Sequence, residues 1–358
     1  MSGARPTLPD DGRPVSGVAA GSAYFALPPT AVDARPAGPT RLILAWPGFD
    51  PPRGASALAA AVPMTGVPTW RVYIDLPGSG AGFDSAGLLE SEGLEAYGAA
   101  VERAVEILPA VLADVRRDLR IEEGPVGLAG FSVGAAVALH ALAHGSVPVS
   151  AVAAVAPIIS PVRAAGPMER RFGRERNWDE NATALADRLD LGAQAARMAG
   201  RGAALLFVGG ATDRVTPPQD IGALRDLLRQ EGADAIENAT IRMGHALAAE
   251  PGTEPEPPSI EAVRVDAALS DWFRQRFAEV LPTEAEGGPE PGQPVQPEQS
   301  TQAGQATQAG QAAERAPAAH SEPASSPWPG PEAVRSPMGG SPPADLPDGG
   351  DQVRLSTW

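Results

Sequence analysis

The sequence predicts an α/β protein built on a mostly parallel, twisted sheet with helices on both faces. Three observations lead there. Short aliphatic runs, RLILAW (41–46), RVYIDL (71–76), VGLAGF (126–131), VSAVAAVAP (149–157) and AALLFVGG (203–210), carry almost no polar positions, as strands covered on both faces do. Stretches of helical period separate them, which is the alternation of β-α-β units. Several of the runs end in turn-forming segments, PGFDPP, PGSGAG and GGATDRV, which places loops of special geometry at the carboxyl ends of the strands.

Taken in order, the first forty residues are rich in Pro and Gly and hold one strand-like run, GSAYFAL. RLILAW and RVYIDL are the first two buried strands. Leu94, Tyr97, Val101, Leu108, Leu112, Val115 and Leu119 then keep near-helical spacing through 94–120, with Pro109 expected to kink or break the helix. VGLAGF is a strand with the small-residue helix GAAVALHALAH packed behind it. The strands at 149–157 and 203–210 follow, then a helix at PPQDIGALRDLLRQ (217–230) and a strand at ENATIRM (237–243). The last helix, 259–281, opens with Ser259 as an N-cap and repeats Leu269, Trp272, Phe273, Phe277 and Val280 on one face.

One connection breaks this rhythm. About 45 residues separate the strand ending near Pro157 from the one starting near Ala203, a length usually kept for function. The insertion (about 158–202) reads as a small helical lid, in which Met168, Phe172 and Trp178 are candidate substrate contacts. Its run of Arg170, Arg171, Arg174 and Arg176 could meet a substrate carboxylate, and reads first as a solvated face.

Composition divides the chain into a flexible N-terminus (1–19), an α/β domain (20–281) and a tail (282–358). The tail is Pro, Gly, Gln, Glu and Ser with TQAGQA twice in tandem. It cannot bury enough apolar surface to offset its chain entropy, and is expected to be disordered. Trp328, Leu355 and Trp358 stand isolated within it. The net charge of −16 argues against nucleic acid and anionic membranes as partners. With no cysteine, disulfides, thiolate catalysis and cysteine-held metals are excluded. With no lysine, Schiff-base and Ser–Lys mechanisms are excluded as well. The N-terminus has no apolar leader and no stretch suits a bilayer span, so a soluble cytoplasmic protein is expected. Oligomeric state is left open.

Gly130-Phe131-Ser132-Val133-Gly134 fits G-x-S-x-G, with a strand ending at Phe131 and a helix starting just past Ser132. That setting is a nucleophile elbow, where small neighbours let strand and helix meet closely. The Val133 N–H, at the helix start, points to where an oxyanion forms. A nucleophilic hydroxyl needs a base, and the base needs a carboxylate to orient it. Of the four histidines, His320 lies in the tail, while His140 and His144 sit on the helix leaving the elbow and are expected to pack or face solvent. His245, in RMGHAL, follows the last strand in a loop. Asp213, in GGATDRV, stands just past a buried strand, and Asp220 is the runner-up acid, already inside the next helix. The order Ser132, Asp213, His245 is the one α/β-hydrolases use.

Residues 41–281 resemble an α/β-hydrolase domain, closest to the dienelactone-hydrolase and prolyl-oligopeptidase-type catalytic domains. AWPGFD (45–50) occupies the position of an HGF- or HGG-type oxyanion motif. The resemblance implies the Phe49 N–H as second oxyanion donor, with the Asp50 N–H as the alternative because Pro47 stands in place of the usual His. It implies hydrolysis of a small-molecule acyl substrate, a carboxylic ester or thioester, by Ser132, His245 and Asp213, with no metal or cofactor. No propeller sequence precedes the domain, so an ester is expected ahead of a peptide. A prolyl-oligopeptidase-like peptidase, a cofactor-free perhydrolase and a non-catalytic binding protein on this fold are the competing readings.

Overall fold

A computed structural model describes residues 12–78 and 85–280. The tail and most of PGSGAG lie outside the described residues. Among the described residues the strands are β1 (Val15–Ala19), β2 (Ser22–Leu27), β3 (Ala34–Pro36), β4 (Leu42–Trp46), β5 (Trp70–Ile74), β6 (Val126–Phe131), β7 (Val149–Val155), β8 (Ala204–Gly210), β9 (Ile236–Ile241) and β10 (Ala278–Val280). The helices are α1 (Ala55–Ala61), α2 (Ser91–Leu119), α3 (Val133–His144), α4 (Pro161–Phe172), α5 (Glu180–Arg188), α6 (Ala195–Ala199), α7 (Pro218–Gln230) and α8 (Ile260–Phe277), with a 3₁₀ turn at Gly87–Leu89.

The main sheet has eight strands in the order β1-β2-β5-β4-β6-β7-β8-β9. Pairing from β5 to β9 is parallel throughout, and β1 and β2 add an antiparallel edge. The aliphatic runs alternate between two cores, as period 2 requires. In β4, Leu42, Leu44 and Trp46 face the layer of α2, α3 and α7, whereas Ile43 and Ala45 face α1 and α8. Both sets are buried, which is why these strands show no polar alternation in sequence. Pairing β4 between β5 and β6 has a further consequence. The chain leaves β4 toward one side of the sheet and later returns to β6 on its other side, so the loops after β4 and β6 diverge around a crevice at the strands' carboxyl ends.

Four elements escape a reading by pattern. β1 pairs with β2 through a two-residue turn, Ala20-Gly21, both at positive φ. A non-glycine residue there hides the usual hairpin signal, and the Ala20 N–H is held at 2.9 Å by the Asp114 carboxylate of α2. The fold therefore takes in residues 15–19, which composition alone leaves outside it. α1 is short, and β3 and β10 form a separate two-stranded sheet clamped by Arg35 and Glu279, whose two nitrogen–oxygen contacts are each 3.0 Å. Pro109 neither breaks nor ends α2, which is helical from Ser91 to Leu119 and closes on a left-handed Arg120.

The α3 helix is almost uniformly buried, so His140 becomes a core residue. Its Nδ1 lies 3.1 Å from the Gln194 side-chain amide nitrogen. Burial, assisted by His144, lowers its pKa from 6.5 to about 4. Because the folded value is the lower one, the stability is intact above about pH 6.5 and is lost as the pH falls toward about 4. Urea unfolding at pH 7 and pH 5 should show a drop about 2 kcal/mol larger in the wild type than in His140→Gln.

At α8, Ser259 accepts from the Ala262 N–H at 3.1 Å and donates to the Leu247 carbonyl at 2.8 Å, joining a helix cap to the loop that follows β9. Ser259→Ala should cost about 1 kcal/mol. A thermal melt should show Tm lowered by roughly 2–4 °C.

Candidate active site

The site is assembled at the crevice beside β4. Ser132 follows β6 directly, in a strained backbone conformation of φ 53°, ψ −113° that L-residues seldom adopt. Its surroundings hold it there. The Ser132 N–H donates to the Val155 carbonyl at 2.8 Å, and its own carbonyl accepts from the Ala135 and Ala136 N–H groups at 3.1 Å each. The two flanking glycines permit the close approach. A β-carbon on Gly134 would collide with the Trp46 carbonyl, and one on Gly130 with the Gly134 carbonyl.

The imidazole of His245 reaches Ser132 from the far edge of the sheet. His245 sits just past β9, and its Nε2 lies 2.8 Å from Ser132 Oγ. Its Nδ1 lies 2.9 Å from Asp213 Oδ2. This network assigns the tautomer: Nδ1–H donates to Asp213, and Nε2 is left to accept from the serine hydroxyl. Both side chains are almost fully buried, Asp213 with none of its surface exposed. Asp213 is saturated with donors. Oδ1 accepts from the Val215 N–H (2.8 Å) and the Thr216 N–H (3.0 Å), and Oδ2 also receives the Thr216 hydroxyl at 3.1 Å. Burial opposes ionisation of this carboxyl, but the bond and charge of His245 and the two backbone N–H groups outweigh it, so Asp213 titrates below its usual range. Asp220 lies in the first turn of α7, where burial raises its pKa.

The loop after β4 closes the third side. Gly48 packs so near Ser132 that a β-carbon there would lie 2.9 Å from Ser132 Cβ. Phe49 is buried next to it. This loop is tied to the one bearing His245, with Leu247 N–H donating to the Pro51 carbonyl (3.0 Å) and Arg53 N–H to the Gly252 carbonyl (2.7 Å), and Arg53 Nε closes it on itself at the Phe49 carbonyl (2.7 Å). Arg53 also pairs with Glu250, lowering the Glu250 pKa through their hydrogen bond. Val133 opens α3, where a first-turn N–H has no acceptor within the helix.

Three contributors escape the sequence reading. Thr216 is buried against both Asp213 and His245, its hydroxyl 3.2 Å from His245 Nδ1. The spacing of Asp213 to the N–H groups two and three residues on is a capping signal that could have marked it. The other two are the Asp50 carboxylate and Ser85, whose hydroxyl donates to Asp50 Oδ2. Only the fold brings these two together.

The insertion is helical, as its length suggests, and its three candidate residues divide. Met168 is buried in the main core. Phe172 and Trp178 are partly buried against that core under Arg171 and Arg176, whose guanidinium carbons stand 5.0 and 5.1 Å from the rings. Trp178 Nε1 donates to the Leu88 carbonyl at 2.9 Å, and Arg174 donates to that of Ala86 at 2.7 Å, which anchors the insertion on the segment before α2. Pro167, Arg170 and Arg171 of α4 face Asp213, Arg214 and Pro217 across a cleft of about 390 Å³. The insertion thus flanks the acid loop.

No protein-family model matches the chain, and no curated protein matches it in sequence. Solved structures do. TT1662 from Thermus thermophilus is 22% identical over 73% of this chain and 98% of its own, with a TM-score of 0.50. A puromycin-hydrolysing peptidase of Mycobacterium tuberculosis is 17% identical over 76% of this chain, TM-score 0.52. An acylaminoacyl peptidase of Pyrococcus horikoshii is 13% identical over 78%, TM-score 0.50. The chain spans 42% and 43% of the length of those two peptidases. No helix among the described residues is long and apolar enough to cross a membrane. Sheet order, elbow and structural neighbours agree: the chain has the α/β-hydrolase fold.

Proposed function

We propose that the protein is a serine hydrolase that cleaves carboxylic esters or thioesters of small acyl groups through an acyl-enzyme on Ser132. One observation carries this reading. Ser132 Oγ, His245 Nε2 and Nδ1, and Asp213 Oδ2 form one chain of contacts of 2.8 and 2.9 Å, contributed by three separate loops. Packing alone does not require those three side chains to meet in that order.

In this mechanism Ser132 Oγ attacks the acyl carbonyl while His245 Nε2 takes its proton. Asp213 holds the Nδ1–H tautomer and stabilises the imidazolium. The backbone N–H groups of Phe49 and Val133 receive the oxyanion, each such donor contributing about 100-fold or more in rate. His245 then protonates the leaving group, and water hydrolyses the acyl-enzyme. The enclosure favours a small acyl group, since Ser132 is 0% exposed and Phe49, Phe131 and Val133 are all buried. The peptidase names of two structural neighbours make a peptide amide the second substrate class.

Turnover of p-nitrophenyl esters of graded acyl length and of peptide p-nitroanilides, alongside fluorophosphonate labelling, tests the proposal. Labelling should be confined to Ser132 and vanish in Ser132→Ala together with turnover. Asp213→Asn should keep the fold and lose about 10⁴ in kcat. Labelling that survives in Ser132→Ala, or a folded wild type inert on every substrate, would sink it.

A further inference from the structure

His245 has a second carboxylate neighbour. Asp50 Oδ2 lies 3.5 Å from His245 Nε2, the atom that faces the nucleophile, on the opposite side of the ring from Asp213. Asp50 belongs to the loop packed on Ser132, is itself only 8% exposed, and receives the Ser85 hydroxyl on the same oxygen. Its side chain is nevertheless 11% exposed, against 1% for His245 and 0% for Asp213.

Resting on the serine hydrolase reading, we propose that Asp50 is a catalytic residue of deacylation, the acceptor that orients the attacking water. Two atoms 3.5 Å apart can both be reached by one water oxygen at hydrogen-bond distance. An ionised carboxylate only accepts, and Ser85 uses one of its several lone-pair sites. A water beside Nε2 thus directs one hydrogen to His245 and the other to Asp50, which turns its remaining electron pairs toward the acyl carbon. As the new C–O bond forms, the first proton passes to Nε2 and the carbonyl electron pair moves onto the oxyanion. Collapse breaks the bond between the acyl carbon and Oγ, and Oγ regains the Nε2 proton. The second hydrogen stays on the attacking oxygen, donated to Asp50, and leaves with the carboxylic acid, which ionises in water.

Acylation makes no such demand. The leaving oxygen of an ester occupies the same region and carries no hydrogen for Asp50 to accept. Asp50 therefore separates the two half-reactions, an asymmetry that a structural role would not produce.

Stopped-flow turnover of p-nitrophenyl acetate resolves the two: the first equivalent of p-nitrophenolate reports acylation and the linear phase reports deacylation. In Asp50→Ala the acylation rate should stay within about twofold while the linear phase slows about tenfold or more. Quenched enzyme should then accumulate acetyl on Ser132. Asp50→Asn, which keeps the shape, and Ser85→Ala, which removes the hydroxyl holding Asp50, should show the same asymmetry in smaller measure. Both phases falling by one factor in all three variants, or neither changing, would overturn the role. Ser132→Ala is the control: loss of both phases there upholds the triad whatever Asp50 does, and turnover that survives there removes both readings.

Discussion

The close approach of α3 to the ends of β4 and β6 is the constraint on which the site depends. Two residues without side chains, Gly130 and Gly134, let the helix start against the Trp46 carbonyl, and the turn between strand and helix then forces Ser132 to φ 53°. That strain is offset locally by three backbone hydrogen bonds to Ser132 and globally by the apolar layers above and below β6. Relaxing the turn would swing the hydroxyl away from His245, because no rotamer of a serine in ordinary helical or extended backbone stands at the tip of such an elbow.

Everything else in the site comes from loops that begin at neighbouring strand ends. β4, β6, β8 and β9 deliver Gly48 to Asp50, Ser132, Asp213 and His245 respectively. The parallel register fixes the strand ends, but it does not fix the loops. Those are cross-braced by Arg53, by the Leu247 to Pro51 bond, and by Ser259, which links α8 to the same loop. An imidazole on a loop braced in this way needs little reorganisation when charge develops on it, which is the physical content of preorganisation.

Legibility followed burial and locality. Strands covered on both faces announce themselves as unbroken aliphatic runs, and the elbow is a contiguous pentapeptide, so β4 to β8 and Ser132 were readable directly. Asp213 and His245 were readable because strand ends are the places where such folds collect polar groups. The edge hairpin was hidden by Ala20 in a turn usually marked by Asn or Gly, and Pro109 does not break α2 because its local cost is outweighed by the buried face of a 29-residue helix. Met168 reads as a lid contact on hydrophobicity alone, yet the same property drives it into the core. Asp50 enters the sequence reading only as an alternative backbone donor and not as a carboxylate near Nε2, since that contact joins residues on different loops, 195 positions apart by their numbering.

Two carboxylates beside one imidazole would be redundant if their surroundings were alike, and they are not. The Asp213 side chain has no exposed surface, and its two oxygens receive four donors from His245, Val215 and Thr216. Such a group can hold a tautomer and balance a charge, but it has no capacity for a transient partner. Among the described residues Asp50 has one side-chain donor, from Ser85, and its side chain has the larger opening to solvent. It can accept a hydrogen that arrives and departs within a catalytic cycle. The contrast in hydrogen-bond saturation, more than the identity of the side chain, is what divides the labour between a carboxylate that positions the base and one that meets the water.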